Sequence, residues 1–393
     1  MINIKENPAN DNSLTFFKMA FRPFFLLAPV SALVLIVMWV SHYAGWFLSS
    51  NYWQGFNGHS HEMIYGFAVA IVAGFLLTAA RTWTGLETIK GRPLMLLVLI
   101  WLLGRMLPWI DINKEIIAIV DLAFIPLVVI ALAIPIIKVR QKRNFIFLPI
   151  LTFLWIGNLL MHLQQLGITD SGSHIGIYLG VDLIILLIVT LGGRVIPMFT
   201  GNGIGENIPR NPRLDVLAIL STLFFVIAHQ VNFQGPLLLI ACSMAFVVHS
   251  IRAWGWHHSK IWTKPLVWIL HVSYYWIVLG FGLMAGAIMG YWSLFIALHA
   301  FTVGGISGMI LGMISRVSLG HTGRALEPPR LVVVGFILIP LASLIRVLIP
   351  LFIPSLYSAT VIVSGFLWAL AMLLFVISYS AILMKPRADD LTE

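Results

Sequence analysis

The chain has 393 residues, of which 60% are hydrophobic and 10% are charged, and these values exclude an ordinary soluble domain and predict a polytopic membrane protein. Its net charge of +9 is spread between apolar segments rather than gathered in a patch, so nucleic-acid binding is not expected. The single cysteine, Cys242, excludes a disulfide framework and any thiolate metal site built by this chain alone.

The N-terminal residues 1–20 are polar and contain no apolar run followed by a small-residue cleavage site, so we expect a retained tail rather than a signal peptide. Apolar segments close to the ~20 residues needed to cross ~30 Å of hydrocarbon follow this tail. They lie at 24–48, 62–81, 93–110, 116–137, 144–166, 174–199, 213–230, 235–253, 265–290, 292–315, 331–350 and 356–384. The sequence therefore predicts an all-α polytopic membrane protein with twelve transmembrane helices in one domain over 21–384, followed by a tail at 385–393.

The distribution of positive charge predicts the orientation. Nearly all of the 24 lysines and arginines fall on the side of the N-terminus if twelve helices are counted. The exceptions are Lys114, Arg105 and Arg346, which lie at or near the opposite ends of their helices. By the positive-inside rule, both tails are predicted to be cytoplasmic. We call the opposite side the predicted outer side.

Ionisable side chains collect at the predicted outer side, where an intramembrane charge is costly and indicates a functional site. They are His42, His59, His61, Glu62, Arg105, Asp121, His162, His174, Asp182, His229, His299 and Arg346. Two interpretations are open for Arg105 and Arg346: an ion pair with an intramembrane aspartate, or contact with the propionates of a haem. His59 and His61, two residues apart, would diverge on a regular helix and converge only in an irregular first turn.

The second, sixth and tenth predicted helices share a pattern, with histidine at the outer end and arginine at the inner end. The pairs are His61 and Arg81, His174 and Arg194, and His299 and Arg316. The second and tenth helices also carry glycine five and thirteen places after the histidine, at Gly66, Gly74, Gly304 and Gly312. Such glycines allow close approach of a neighbouring helix or a flat macrocycle. The four-helix interval predicts three four-helix arcs.

A second candidate site lies at the predicted inner side, where His271 and His321 are close to several arginines. An electropositive rim of this kind favours an anion or haem propionates. Contact with phospholipid headgroups is the alternative for the arginines.

The twelve-helix, three-arc plan resembles the catalytic subunits of haem-copper oxidases and bacterial nitric oxide reductases. In those proteins, histidines of the second and tenth helices hold a haem and arginines of the eleventh lie beside its propionates; Arg346 is in the matching place. This chain departs from them, because the seventh helix has only His229 and Ala297 stands two places before His299. An oxidase-type dinuclear centre is therefore not expected.

Several segments are similar to a closer family: HEMIYGF at 61–67, GGRVIPMFTGN at 192–202 and the RVSLGHTGR ending of 299–324, together with FRPFFLLA at 21–28. They resemble the NnrS family, bacterial membrane proteins of the nitric oxide response that are described as haem- and copper-containing. The resemblance implies a location in the bacterial inner membrane, contact with membrane lipid, haem b, copper as a second metal, and a role against nitrosative stress.

These observations lead to one function and one alternative. We expect His61 and His299 as the axial pair of a haem, with Arg346, Arg105, His271 and His321 as further cofactor-binding residues. The candidate ligands for copper or a second haem are His59, His162 and His174. The protein would bind nitric oxide and turn it over as an oxidoreductase, with an electron donor that this chain does not identify. The alternative is a proton-coupled transporter of small molecules or anions, with a His/Asp/Arg relay in the membrane.

Overall fold

The structure is a computed structural model that describes residues 12–46, 50–53, 55–231 and 235–389, and every regular element in these ranges is helical. Twelve helical spans are long and apolar enough to cross a membrane. In chain order they are α1 Phe21–Tyr43, α2 Phe56–Thr84, α3 Arg92–Trp109, α4 Lys114–Lys138, α5 Lys142–Gln165, α6 Gly172–Ile204, α7 Pro212–Val231, α8 Pro236–Trp256, α9 Pro265–Ile288, α10 Leu294–His321, α11 Arg330–Phe352 and α12 Pro354–Met384. The predicted all-α, multi-pass membrane architecture is confirmed.

Some predicted features fall outside the described residues. These are residues 1–11 and 390–393 of the two tails, and the predicted end of the first helix at 48. The boundaries of α2 and α10 differ from the prediction: α2 begins at Phe56 rather than at 62, and α10 ends at His321 rather than at 315. Hydropathy counts the polar residues at these ends as loop, whereas the chain continues as helix there.

Helix ends follow local backbone chemistry. α2 and α6 stop at Gly85 and Gly205, whose φ values of 68° and 72° lie in the left-handed region that glycine adopts without a Cβ clash. α3, α8 and α9 each have proline in the first turn, where the missing N–H removes no helical hydrogen bond.

The twelve helices form three groups of four. Each group has a central helix, α2, α6 or α10, that contacts the other three helices of its group. α6 also contacts α2 and α10, while packing of α4 on α5, α8 on α9 and α12 on α1 joins the groups into a closed ring. The predicted arrangement in three four-helix arcs is therefore the one observed, with the histidine-bearing helices inside.

The repeated glycines serve helix packing. A Cβ at Gly74 would lie 2.8 Å from the Cβ of Phe24 on α1, and one at Gly304 would lie 2.4 Å from the Trp276 ring on α9. Equally close neighbours are found at Gly66 and Gly312. The space at these positions is filled by side chains of adjacent helices, so the glycines bring helices together and do not open onto a cofactor.

A close crossing of α5 and α6 gives a first testable prediction. A Cβ at Gly176 would lie 2.4 Å from the carbonyl oxygen of Gly157, and the Tyr65 hydroxyl donates to the Gly176 carbonyl at 2.6 Å. An added Cβ would have to displace packed backbone, so Gly176→Ala should destabilise the protein by about 1–3 kcal/mol. The measurement is the unfolding temperature in detergent, which should be lower than that of wild type. The control is Gly255→Ala on α8, where an added Cβ meets nothing within 4 Å. Equal unfolding temperatures would contradict the close crossing.

α2 and α10 share an unusual backbone feature. Residues Glu62–Ala68 of α2 and Ala300–Ser307 of α10 are π-helical, and each segment begins immediately after a histidine, His61 or His299. A π segment accommodates an extra residue and turns the side chains before it relative to those after it, and such segments are frequent at functional sites. The sequence repeat between the two helices therefore has a matching backbone distortion.

Candidate functional site

The first turn of α2 contributes to two separate sites. Residues two apart on a helix lie about 200° apart around its axis, and His59 and His61 diverge accordingly. The His59 ring stacks on Trp39 of α1, with centroids 4.9 Å apart, and lines a cavity between helices. The His61 ring stacks on Trp53, at 4.2 Å, and is buried on the other side of the helix.

The site around His61 is a histidine–carboxylate cluster, formed by His61, Glu62, Arg105, Asp121, Asn158 and His162. Nε2 of His61 lies 3.3 Å, and Nε2 of His162 lies 2.9 Å, from the same oxygen, Oδ2 of Asp121. The Asn158 amide donates to that oxygen at 2.8 Å, and its Oδ1 lies 2.9 Å from His61 Nε2. The cluster thus joins α2, α3, α4 and α5, and the ligand atoms of the two histidines and Asp121 all lie within 4.8 Å of one another.

Arg105 forms two ion pairs within the cluster. Arg105 of α3 pairs with Glu62 through Nε and Oε2 at 3.0 Å, and it also forms an ion pair with Asp121. All three side chains are buried. Of the two interpretations open for Arg105, the structure therefore has the ion pair.

The loop before α2 closes the cluster. The Tyr52 hydroxyl lies 2.8 Å from Nδ1 of His162, and Trp53 covers the rings of His61 and His162. Burial, reinforced by the negative charge of Asp121, raises the pKa of Tyr52, so its hydroxyl stays neutral. A neutral hydroxyl can donate to an imidazole nitrogen or accept from one.

The second site is a cavity of about 230 Å³ between α1, α2, α6, α10, α11 and α12. Its lining is mainly apolar and aromatic, with few charged or titratable groups. They include His59, His299 and Arg346. The π segments of both α2 and α10 border this space, through Ile64, Thr302 and other residues.

The ring nitrogens of the two cavity histidines have different surroundings. Nδ1 of His299 lies 2.6 Å from the Phe295 carbonyl oxygen, and because a carbonyl only accepts, this nitrogen carries the proton of a neutral ring. Nε2 then has its lone pair available to bind a metal. Nδ1 of His59 is buried and has no hydrogen-bond partner in the described part of the chain. A buried polar atom of this kind points to a missing partner.

Arg346 of α11 lies at the same cavity. Its guanidinium donates to the Tyr357 hydroxyl at 2.9 Å and lies 4.6 Å from the centre of that ring. It is buried. Arg105 and Arg346, which the sequence alone could not tell apart, thus have different surroundings: a pair of carboxylates for Arg105, and a tyrosine and a cavity wall for Arg346.

The histidines named from sequence are divided among several places. His61 and His162 lie in the cluster, and His59 and His299 lie at the cavity, so the structure places the expected axial pair His61 and His299 in two different sites. The reason is the direction of His61, which points to Asp121 and Asn158 on α4 and α5. The residue of α2 that shares the cavity with His299 is His59.

The other predicted histidines lie outside the cluster and the cavity lining. His174 is exposed and packs its ring on Tyr178. At the predicted inner side, Nε2 of His271 lies 2.9 Å from the Thr200 hydroxyl, and the His321 ring packs near Phe21. The predicted inner site therefore consists of separate histidines with separate neighbours.

A polar network at the predicted inner half was missed from the sequence. Arg252 pairs with Asp215 at 2.7 Å and donates to the Tyr274 hydroxyl, which lies 2.5 Å from Nδ1 of His249. Nε2 of His249 lies 2.9 Å from the hydroxyl of Thr222. Such a satisfied network stabilises the contact of α7, α8 and α9. The signal in the sequence was a histidine and an arginine three residues apart on α8.

Comparison with known proteins gives one result. No curated protein matches the chain significantly. A family model described as NnrS protein matches residues 15–387, which is nearly the whole chain. The protein therefore belongs to the NnrS family.

Proposed function

We propose that this protein is a haem-containing member of the nitric oxide response in the bacterial inner membrane, and that it protects the cell against nitrosative stress. Membership in the NnrS family supports the role in the nitric oxide response. The observation that supports haem is the cavity that carries two histidines, His59 and His299, and one arginine, Arg346. Bound haem b would supply an iron that binds nitric oxide.

The donor set of the cavity fits a haem. Neutral imidazole is a good ligand of haem iron. The backbone hydrogen bond of His299 Nδ1 fixes the ring and leaves Nε2 for the metal, as second-shell partners do in metal sites. His59, from the facing helix and with an unsatisfied buried nitrogen, is a second candidate ligand, and a haem held through only one of the two histidines would leave the iron able to bind nitric oxide. The mainly apolar and aromatic lining suits the haem macrocycle.

Arg346 is the candidate partner of a haem propionate. A guanidinium matches a carboxylate bidentately, and its contact with Tyr357 holds it at the cavity wall. We also propose copper as a second metal, bound at one of the sites that contain imidazoles. Turnover of nitric oxide would need an electron donor from outside this chain.

The visible spectrum of detergent-purified protein tests this proposal. Wild type made in a haem-rich host should give a b-type reduced-minus-oxidised spectrum that nitric oxide alters. His299→Ala should lower the haem content at least roughly tenfold, while the variant still elutes as one folded species. The control is His271→Ala, a buried histidine elsewhere in the membrane domain, whose ring contacts Thr200.

Two results would contradict the proposal. A colourless wild type would exclude haem and favour the transporter alternative. Loss of haem in His271→Ala but not in His299→Ala would move the cofactor to the predicted inner side.

A further inference from the structure

The histidine–carboxylate cluster has the donor set of a metal site. Zn²⁺ bound at about 2.0–2.1 Å in a tetrahedral site holds its ligand atoms about 3.3 Å apart. Nε2 of His61 and Nε2 of His162 lie 3.3 Å and 2.9 Å from Asp121 Oδ2, so little adjustment would place an ion between the three atoms. We propose that His61, Asp121 and His162 bind a divalent transition-metal ion.

The far sides of the two imidazoles are already held by partners. Oε1 of Glu62 lies 3.1 Å from Nδ1 of His61, and the Tyr52 hydroxyl lies 2.8 Å from Nδ1 of His162. In metal sites, partners on the remote nitrogen fix the tautomer and the ring orientation and make the ligand more basic. Both Nε2 atoms therefore face the same oxygen of Asp121, and Oδ1 of Asn158 also lies 2.9 Å from Nε2 of His61.

The cluster contains more carboxylates than positively charged side chains. Among the described side chains of the cluster, Glu62 and Asp121 supply two carboxylates and Arg105 supplies one guanidinium. If both imidazoles are neutral, one negative charge stays buried, and an uncompensated charge in the interior is costly. A metal ion and a proton on one imidazole are the two candidates for the compensating cation. Proximity of the three ligand atoms, which lie within 4.8 Å of one another, favours the metal ion.

The type of donor selects the class of metal. Two imidazole nitrogens and one carboxylate oxygen suit Zn²⁺, Fe²⁺ or Cu²⁺, whereas Ca²⁺ and Mg²⁺ prefer oxygen ligands throughout. Three protein ligands leave one position open, as in catalytic rather than structural zinc sites. A smaller cavity of about 50 Å³ borders Glu62 and Trp53 and provides room for water or a small ligand beside the cluster.

This inference names ligands that the proposed function leaves unassigned, and it does not depend on haem binding, because none of the three ligands lines the haem cavity. It also assigns to His61 a role different from the axial ligation expected from sequence. A haem in the cavity and a metal ion in the cluster would lie on opposite sides of the first turn of α2.

Metal analysis of the purified full chain tests the inference. Protein washed with a weak chelator and then incubated with one equivalent of Zn²⁺, Co²⁺ or Cu²⁺ should retain about one ion per chain after gel filtration, measured by mass spectrometry of the elements. His162→Gln should reduce this at least roughly tenfold. The control is His229→Gln, which changes a buried histidine paired with Asp182 elsewhere in the membrane domain. Haem content is measured in the same samples and should be equal in His162→Gln and wild type.

A second measurement uses wild type alone, so it does not depend on the folding of a variant. Stripping with a strong chelator should lower the unfolding temperature, and added Zn²⁺ should restore it, because a ligand of the folded state stabilises that state. Failure to retain any of the three ions would overturn the inference and leave a protonated imidazole as the compensating cation. Equal retention by His162→Gln and wild type would overturn it as well. Wild-type protein that retains the metal ion but contains no haem would count against the proposed function alone.

Discussion

Arg105→Ala is expected to prevent the accumulation of folded protein. The guanidinium contacts Glu62 and Asp121, and all three side chains are at most 7% exposed. Removing it leaves two buried carboxylates without their cation, and breaking a buried ion pair in this way costs about 3–5 kcal/mol. This is a large part of the roughly 5–15 kcal/mol that keeps a typical protein folded. The measurements are the yield of a single species in gel filtration and its unfolding temperature.

Two further variants make the Arg105 experiment specific. Arg92→Ala removes the same charge from the exposed first turn of the same helix and should leave the yield unchanged. Adding Glu62→Gln to Arg105→Ala removes one of the two buried carboxylates that have lost their cation, and it should recover part of the lost stability. A wild-type unfolding temperature in Arg105→Ala would mean that the ion pairs contribute little.

Arg346→Gln is expected to have the second large effect, on haem retention, and this prediction rests on the proposed function. Hydrogen bonds to charged groups contribute about 1.5–3 kcal/mol, so loss of a propionate contact should weaken haem binding roughly 10- to 100-fold. The fold should be retained, because the side chain contacts Tyr357 at the cavity wall and is not part of the buried ion pairs. The measurements are the haem-to-protein ratio and the rate of haem transfer to an acceptor protein.

The matched control is Arg330→Gln, at the exposed start of the same helix. It removes the same charge at the opposite end of α11 and should leave haem retention unchanged. If Arg346→Gln retained haem as wild type does, the propionate contact would be refuted, while ligation by His299 would still be decided by the spectrum of His299→Ala.

Hydropathy predicts the number of helices well, because crossing a membrane depends on the composition of about 20 consecutive residues and hardly on their neighbours. The three groups were also predictable, since histidine at the outer end and arginine at the inner end recur at a four-helix interval. The ends of the helices were harder to predict, because polar residues such as those before His61 lower the hydropathy of a segment that is nonetheless helical.

The direction of each histidine depends on contacts between distant parts of the chain. His61 faces the cluster because Asp121 and Asn158 lie on α4 and α5, and no local pattern around His61 indicates this. Asn158 and His162 are four residues apart in a mainly apolar stretch of α5, a spacing that puts both on one face. That signal was readable and was missed. Tyr52 and Trp53 lie in a loop, where periodicity carries no information about what a side chain contacts.

The π segments of α2 and α10 affect how this membrane fold can change in evolution. Such a segment arises or disappears when a single residue is inserted or deleted, and the distortion stays local. Residues on one side of it turn by about 100° relative to those on the other, so the histidine-bearing first turn can present a new face while the helix below keeps its neighbours. α6 is α-helical throughout its length and offers no such adjustment. Relatives that differ by one residue at 62–68 or 300–307 would therefore keep the twelve-helix ring and offer a different set of ligands to the space between the helices.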